Sequence, residues 1–194
     1  MKTYAANFLL SAPNPGAFPA PGLPEVAIVG RSNSGKSSLL NALVGRRKLA
    51  RFSGRPGRTR AIVFFEVEQR FLLADLPGYG YAAGPRAEQA SWRKLVGAYF
   101  DSRRPLRGVI ALFDIRRTPD DLDRALLQML AARSVAWKAI WTKADKLKRR
   151  AQSARSQELS KVLAPPEAGI TFSTKTRQGR DDLLAWIETR VSEP

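Results

Sequence analysis

Residues 30–37 have the types and the spacing of a loop that binds phosphate groups. They match the pattern G-x-x-x-x-G-K-[ST], follow an apolar run at 26–29 and precede a helix-like segment at 38–43. Glycines let backbone N–H groups approach a phosphate closely, and the positive end of a helix dipole favours the same negative charge. A glycine turn before an ordinary helix is the alternative, but the strand, the lysine and the hydroxyl favour a nucleotide site. The predicted loop comprises Gly30, Arg31, Ser32, Asn33, Ser34, Gly35, Lys36 and Ser37.

Two side chains of this loop and two residues of a later D-x-x-G segment have distinct predicted roles. Lys36 would reach the β- and γ-phosphates of a nucleotide as a mobile positive charge. The Ser37 hydroxyl would occupy one coordination position on Mg²⁺, a cation that prefers oxygen ligands. Asp75 ends a second strand-like segment and is placed to hold the same Mg²⁺ through a water molecule, while the Gly78 N–H would contact the γ-phosphate. An ordinary turn is the alternative, and the context of a phosphate loop favours the site.

Residues 142–145, Thr-Lys-Ala-Asp, follow a hydrophobic strand and indicate which base is bound. The carboxylate of Asp145 can accept hydrogen bonds from both N1–H and the N2 amino group of guanine. Adenine offers neither donor, so a site built on this carboxylate would reject ATP. The aliphatic part of Lys143 could lie along the base, and backbone N–H groups at 173–175 could bind guanine O6. A solvated charge cluster is the alternative at 142–145, and the Ser-Thr-Lys signal at 173–175 is weak by itself.

The segment 45–60 is rich in glycine and arginine and has neither helical nor strand periodicity, so we predict a long mobile loop. Its Thr59 could complete the Mg²⁺ coordination only while a γ-phosphate is present, and an ordinary loop threonine is the alternative. The loop at 45–60 and the D-x-x-G segment would both respond to the γ-phosphate, which is typical of a guanine-nucleotide switch.

The composition limits the chemistry and suggests a partner. The 194-residue chain contains no Cys and no His, which excludes thiolate nucleophiles, disulfides, Cys/His zinc sites and histidine bases. Its 33 basic and 17 acidic residues give a formal net charge of +16. Such a field attracts polyanions such as nucleic acid or an acidic membrane surface, and an arginine-rich genome is the alternative explanation. No apolar run approaches the ~20 residues of a membrane span, and the segment 5–10 is too short for a signal peptide. We therefore predict a cytoplasmic protein without a membrane partner.

The elements that would position these residues alternate between strand and helix. Strands are predicted at 25–29, 62–67, 70–74, 108–113, 135–142 and 170–172, and helices at about 36–44, 86–101, 119–132, 152–163 and 179–191. Only a few residues separate 62–67 from 70–74, so these strands should form an antiparallel hairpin at the edge of an otherwise parallel, six-stranded sheet. We therefore predict a three-layer α/β fold with helices on both faces and each motif at the carboxyl end of a strand.

The N-terminal segment is predicted to be an arm that packs on the domain. Five prolines between positions 13 and 24 exclude a central strand or a helix interior there. We predict a Pro-rich arm at 1–22 that packs on a single domain at 23–194. The side chains that could attach it are Phe8, Leu9, Leu10 and Phe18. Four tryptophans lie in periodic apolar segments and are predicted to pack in the core, with stacking on RNA as the alternative. They are Trp92, Trp137, Trp141 and Trp186.

With these motifs in order, the chain resembles the Ras-like GTPases of the translation-factor class, and within them the EngB family, also called YihA or YsxC. The similarity rests on residues 25–43, 56–60, 75–82, 142–146 and 172–175. The run Asp-Leu-Pro-Gly-Tyr-Gly-Tyr and the threonine at 142 are its most family-specific parts. The resemblance implies the P-loop NTPase fold of a Ras-like G domain and a bacterial Mg²⁺-dependent GTPase. It also implies a role in assembly of the large ribosomal subunit, with rRNA and ribosomal proteins as partners, and in normal cell division and septation.

The resemblance extends the predicted site by position. Mg²⁺ would be bound by Ser37 and Thr59 and, through water, by Asp75, and catalytic roles would fall to Lys36, Thr59 and Gly78. GTP or GDP would be held by the phosphate loop and by the following residues: Gly57, Arg58, Thr59, Arg60, Ala61, Asp75, Leu76, Pro77, Gly78, Thr142, Lys143, Ala144, Asp145, Ser173, Thr174 and Lys175.

One position departs from Ras-type enzymes, which orient the attacking water with a glutamine after D-x-x-G. Tyr79 occupies that position here, so we predict slow intrinsic hydrolysis that a partner, the pre-ribosome, accelerates. We also predict a monomer. Asn33 stands where related GTPases coordinate K⁺, and K⁺ stimulation is a second hypothesis beside a plain loop asparagine. Two other functions stay open. One is an ATP-dependent small-molecule kinase, although no insert is large enough for a substrate lid; the other is a constitutive RNA-binding protein with a vestigial nucleotide site.

Overall fold

A computed structural model describes residues 4–44, 61–80, 86–102 and 105–193 of the chain. Its strands are β1 (Ala6–Ala12), β2 (Glu25–Gly30), β3 (Ile62–Val67), β4 (Phe71–Asp75), β5 (Leu106–Asp114), β6 (Trp137–Thr142) and β7 (Ile170–Thr171). Within the described residues they form one sheet in the order β1-β3-β4-β2-β5-β6-β7. The pairs β4–β2, β2–β5, β5–β6 and β6–β7 are parallel.

Helices cover both faces of this sheet. They are α1 (Lys36–Val44), α2 (Arg86–Asp101), α3 (Asp121–Ala131), α4 (Arg149–Leu163) and α5 (Arg180–Ser192). Successive side chains of a strand point to opposite faces, and this alternation divides the core. Val26 and Ile28 of β2 pack with α1 and α5, whereas Ala27 and Val29 pack with α2, α3 and α4. The predicted three-layer α/β fold is therefore confirmed.

The predicted hairpin is present, but it does not form the edge of the sheet. β3 pairs antiparallel with β4, as the short connection between them requires. β1 pairs antiparallel with the other side of β3, so the predicted six strands are corrected to seven. β1 ends at Ala12, directly before the first proline, so no proline interrupts its ladder. Phe8 and Leu9 of this strand are 41% and 42% exposed, as an edge position allows.

The part of the N-terminal segment that follows β1 is attached by a small aromatic cluster. Phe18 packs edge-on against Phe64 and Tyr99, with ring centroids 6.1 Å and 5.8 Å away. Leu10 packs against the same side of the core, whereas Leu9 is exposed and contributes little burial. The division of the chain into an arm and a domain at residue 22 stays a prediction. Among the described residues, no helix combines the length and the apolar character that crossing a bilayer requires.

The strand order brings the predicted motifs to one edge of the sheet. β2 lies between β4 and β5, and all three run in the same direction. The phosphate loop follows β2, the D-x-x-G segment begins at the last residue of β4, and residues 142–145 and 173–175 follow β6 and β7. Parallel strands end at the same edge, which is where ligands bind in sheets of this type.

Candidate nucleotide-binding site

The phosphate loop connects the buried strand β2 to the first turn of α1. Every residue of β2 is buried, including Gly30 at its end, and α1 begins at Lys36. Gly35 has a φ of +100°, a conformation that favours glycine, and Asn33 is also left-handed with a φ of 64°. The Ser34 N–H donates to the Arg31 carbonyl at 3.0 Å. The loop is therefore a compact turn that ends where the helix N-terminus offers its positive dipole to a phosphate.

Half-buried Lys36 and buried Asp75 are oppositely charged groups of the site that influence each other's pKa. Burial raises the pKa of Asp75 to about 6, and the positive charge of Lys36 opposes that rise. Burial lowers the pKa of Lys36, and the Asp75 carboxylate opposes that change in turn. The charge on each group therefore lowers the free-energy cost of ionising the other.

The donor set of this region suits Mg²⁺ held largely by a nucleotide. Asp75 Oδ1 is buried and has no hydrogen-bond partner among the described residues, and a coordinated water would satisfy such an atom. Ser37 is exposed in the first turn of α1. Within the described residues, no group of three or more Asp, Glu, His or Cys side chains could hold a metal alone. Mg²⁺ commonly takes one or two protein oxygens together with substrate phosphates, so these residues fit the ion.

The D-x-x-G segment lies directly on the phosphate loop. The Leu76 N–H donates to the Ile28 carbonyl at 3.0 Å, and the Tyr79 N–H donates to the Gly30 carbonyl at 3.3 Å. The Ser32 N–H donates to the Tyr79 carbonyl at 2.8 Å, which closes a short parallel bridge. These bonds extend the pairing of β4 with β2 beyond the sheet edge.

Gly78 is the residue of this segment that faces Lys36. A Cβ atom at Gly78 would lie 3.0 Å from Lys36 Nζ and 3.1 Å from the Ser32 backbone N. A side chain would therefore require the Ser32 backbone to move by a few tenths of an ångström, so glycine favours the close approach of the two segments. This geometry places the Gly78 backbone next to the lysine that is predicted to hold the γ-phosphate.

Residues 142 and 143 connect the base-binding motif to the phosphate loop. Thr142 Oγ1 is buried and donates to the Ser34 carbonyl at 2.8 Å, with the Phe113 carbonyl at 3.2 Å. Lys143 Nζ donates to the Asn33 carbonyl at 2.7 Å. The Thr142 hydroxyl therefore supports the phosphate loop from inside the protein, and the predicted contact of residue 142 with the nucleotide stays a prediction.

Asp114 at the end of β5 anchors the same lysine. Its Oδ2 lies 3.0 Å from Lys143 Nζ and 2.7 Å from Arg116 Nη2. Burial favours the protonated acid, but hydrogen bonds from Arg116 and Lys143 hold the pKa of Asp114 well below its usual range. Asp114 is a supporting residue that the sequence pattern did not single out.

Asp145 and residues 173–175 form the part of the site that would meet the base. Ser173 Oγ donates to Asp145 Oδ1 at 2.8 Å and accepts the Lys175 N–H at 3.2 Å. The Ala144 N–H donates to the Phe172 carbonyl at 3.1 Å, so the two loops are joined through backbone as well. The exposed Thr174 N–H, between these groups, has no hydrogen-bond partner among the described residues. Asp145 is half-buried and Thr174 is exposed, and their contact with guanine stays a prediction.

The remaining predicted residues are placed only in part. Gly57, Arg58, Thr59 and Arg60 lie outside the described residues, and half-buried Ala61 directly precedes β3. Leu76 and Pro77 are both buried. Trp92, predicted to be a core residue, is half-buried and donates from Nε1 to the Pro77 carbonyl at 2.6 Å. The other three tryptophans are buried as predicted.

Comparisons with known proteins identify the family. Residues 25–143 match the family described as "50S ribosome-binding GTPase". A protein called "Probable GTP-binding protein EngB" from Pelotomaculum thermopropionicum is 45% identical over 96% of this chain and 96% of its own length. The protein of the same name from Syntrophus aciditrophicus is 43% identical over 100% of this chain and 98% of its own length. The chain belongs to the EngB family of GTP-binding proteins.

Comparison with solved structures shows that this chain shares its fold with a protein described as EngB. A solved structure described as "Crystal structure of a probable GTP-binding protein engB" matches with a TM-score of 0.73 and covers 88% of this chain and 100% of its own. At 23% identity this likeness shows the fold alone. The family membership that the sequence predicted is confirmed, and this member of the EngB family is a GTP-binding enzyme that hydrolyses GTP.

Proposed function

We propose that the chain is a GTP-dependent switch that assists assembly of the large ribosomal subunit. The observation that carries the proposal is the pair of backbone hydrogen bonds between the phosphate loop and Tyr79, which ties the D-x-x-G segment to the site of the terminal phosphate. A segment held there responds to the presence or loss of one phosphoryl group. GTP and GDP would then favour different surfaces of the protein, which is what a switch requires.

The residues proposed to bind the nucleotide fall into groups that contact its phosphates, its base and its Mg²⁺. The phosphate loop and Lys36 would hold the phosphates, Asp145 and residues 173–175 the guanine, and Lys143 would support the base plane. Residues 57–61 and 75–78 would contact the γ-phosphate end. When bound, Mg²⁺ neutralises charge between the β- and γ-phosphates, and its ligands would be Ser37, Thr59 and, through water, Asp75.

Slow intrinsic hydrolysis follows from the environment of Tyr79. Its ring is buried and its hydroxyl donates to Asp123 Oδ1 at 2.8 Å. A side chain that is committed in this way does not orient an attacking water, as the glutamine of Ras-type enzymes does. Lys36 and the Gly78 N–H remain to stabilise the transferred phosphoryl group. The proposed partner would supply or order the missing water-positioning group.

The charge of the protein favours RNA as part of that partner. Six exposed basic side chains lie next to the base-binding loop and form the α4 basic surface: Arg116, Arg117, Lys146, Lys148, Arg149 and Arg150. Arg155 of α4 donates to the Arg117 carbonyl at 2.7 Å, which holds the two parts of this surface together. The first turn of α4 contains no acidic residue. Cations at this end of a helix oppose its dipole, so a bound polyanion would relieve the repulsion.

The ribosomal partner is also supported by the description of the matching family, "50S ribosome-binding GTPase". The same proposal puts the protein in the cytoplasm as a monomer that binds ribosomal particles. A shortage of large subunits would limit growth, which would account for a requirement in cell division and septation.

Co-sedimentation with precursors of the large ribosomal subunit tests the proposal. We expect binding with a non-hydrolysable GTP analogue and much weaker binding with GDP, and we expect the precursors to accelerate GTP hydrolysis. Binding that ignores the nucleotide would instead support a constitutive RNA-binding protein. Binding should also weaken steeply with salt, because released counterions contribute to affinity for RNA.

Charge reversal on α4 tests the surface. Arg149→Glu, which replaces one positive charge by one negative charge, should reduce both the binding and its salt dependence. Lys161→Glu is the matched control, because Lys161 is exposed in the last turn of the same helix. Equal losses in the variant and the control would show that total charge, and not this surface, determines binding.

A further inference from the structure

Tyr79 takes part in a group of side chains that joins the D-x-x-G segment to the start of α3. Its ring is 5% exposed and packs edge-on against Trp92, with the ring centroids 5.6 Å apart. Its hydroxyl donates to Asp123 Oδ1 at 2.8 Å. Burial and the nearby Asp123 carboxylate raise the pKa of Tyr79, so the phenol keeps its proton and remains a donor.

Arg31 holds the other side of the same tyrosine. Its guanidinium carbon lies 5.9 Å from the centre of the Tyr79 ring, within the range of a cation–π contact. Arg31 Nη1 donates to Asp120 Oδ2 at 2.5 Å and lies 3.8 Å from Asp123 Oδ2. The side chain is 15% exposed, so these charges interact with limited screening.

The two aspartates are fixed by the start of α3. Asp120 Oδ1 accepts the Leu122 N–H at 3.0 Å, and Asp123 Oδ2 accepts the Asp120 N–H at 2.9 Å. The Asp123 N–H also donates to Asp120 Oδ1 at 3.4 Å, and with the Asp120 N–H bond to Asp123 Oδ2 it forms a reciprocal capping box, which sets the positions of both carboxylates. Arg31 and Tyr79 are therefore bound to a rigid helix end.

The geometry points to Tyr79 as a positioning residue for the γ-phosphate. We propose that Arg31, Tyr79 and Asp123 form a latch, here called the Tyr79 latch, that holds Gly78 against the phosphate loop. The tyrosine backbone is bonded to Gly30 and Ser32 on the loop side. Its side chain is bonded to α3 on the opposite side, so the residue after Gly78 cannot shift without breaking one of these attachments.

The latch affects GTP and GDP differently. Gly78 is predicted to contact only the γ-phosphate, which GDP lacks. A latch that keeps Gly78 in place lowers the ordering cost of GTP binding and leaves GDP binding unchanged. The inference rests on the GTPase activity and not on the ribosomal partner, so the tests use the isolated protein and nucleotides.

Tyr79→Phe is the first test, because phenylalanine keeps the ring and removes the hydroxyl. Loss of one hydrogen bond to a charged acceptor should reduce affinity for a non-hydrolysable GTP analogue by about tenfold. GDP affinity should stay within about twofold of the original protein. Tyr99→Phe is the matched control, because Tyr99 is also buried and its hydroxyl donates to buried Glu25 at 2.9 Å. The control should lose stability but keep the ratio of the two affinities.

Asp123→Asn tests the latch from the other side and serves if Tyr79→Phe does not fold. It should lower the ratio of GTP-analogue to GDP affinity in the same direction, and the double variant should add little to either single change. Equal losses for both nucleotides, or an unchanged ratio, would overturn the proposal. A reduced rate at saturating GTP with unchanged affinities would also overturn it, because Tyr79 would then act in the chemical step.

Discussion

Replacement of Asp145 by asparagine should separate base recognition from folding at this site. Ser173 Oγ donates to Asp145 Oδ1 at 2.8 Å, and the amide oxygen of asparagine can accept the same bond. Ser173 Oγ also accepts the N–H groups of Lys175 and Thr176, each at 3.2 Å, and these bonds do not involve the changed group. We therefore expect Asp145→Asn to fold with nearly unchanged stability.

The effect on guanine binding should be large. The carboxylate would accept the N1–H and the N2 amino group of guanine, and the substitution replaces one of its oxygens by an amide donor. Each hydrogen bond to a charged group contributes about 1.5–3 kcal/mol, and about 1.4 kcal/mol corresponds to a tenfold change. The loss of one such bond lowers affinity for GDP by roughly 10–10², and the amide donor that faces a guanine donor in its place weakens binding further. Xanthine has a carbonyl oxygen at C2 that the amide can bind, so affinity for XDP should increase.

Calorimetric titration with GDP and XDP measures both effects. Asp121→Asn is a suitable control, because its carboxylate is 98% exposed at the start of α3 and should not influence either nucleotide. Thermal unfolding of all three proteins shows whether the fold is retained. If Asp145→Asn bound GDP as tightly as the original protein at the same melting temperature, the assignment of Asp145 to the base would be wrong.

Three further predictions concern the supports of the phosphate loop. Thr142→Val removes the donor to the buried Ser34 carbonyl, so urea unfolding should show a loss of about 1–3 kcal/mol, and an unchanged unfolding midpoint would contradict this role. The lowered pKa of Asp114 means that its ionised form stabilises the fold above about pH 4, and this stabilisation is lost as the pH falls further. The melting temperature should therefore fall more between about pH 5 and pH 3 than in Asp114→Asn, whereas parallel curves would exclude the effect. Hydrolysis should be faster in K⁺ than in Na⁺ and Asn33→Ala should remove the difference, so equal turnover in both salts would reject K⁺ binding.

Local sequence patterns were sufficient to predict those parts of the structure that are formed by neighbouring residues in the chain. The phosphate loop depends on glycine, lysine and serine at fixed spacing within eight positions, and its strand–turn–helix context is visible in the same stretch. The β3–β4 hairpin follows from a connection too short for a parallel crossover. The acidic residues of the first turn correctly predicted the start of α3, although the helix begins at Asp121 and Pro119 precedes its N-cap, Asp120.

Edge strand β1 illustrates what local patterns left out. Residues 6–12 alternate weakly, and Phe8 and Leu9 are exposed. The strand forms because the outer side of β3 offers unpaired N–H and C=O groups. This hydrogen-bonding edge exists only after β3 and β4 have paired, so no property of residues 6–12 alone predicts that they form a strand.

The spacing of its motifs already determined that this chain binds a guanine nucleotide at the edge of an α/β sheet, because phosphate loops and strand ends are built from neighbouring residues. Only the tertiary structure decided which polar side chains support one another. Tyr79 and Asp123 are 44 residues apart, Arg31 and Asp120 are 89, and Thr142 and Ser34 are 108. Partners at such separations depend on strand order and on which loops meet beyond the sheet, and neither periodicity nor composition contains that information.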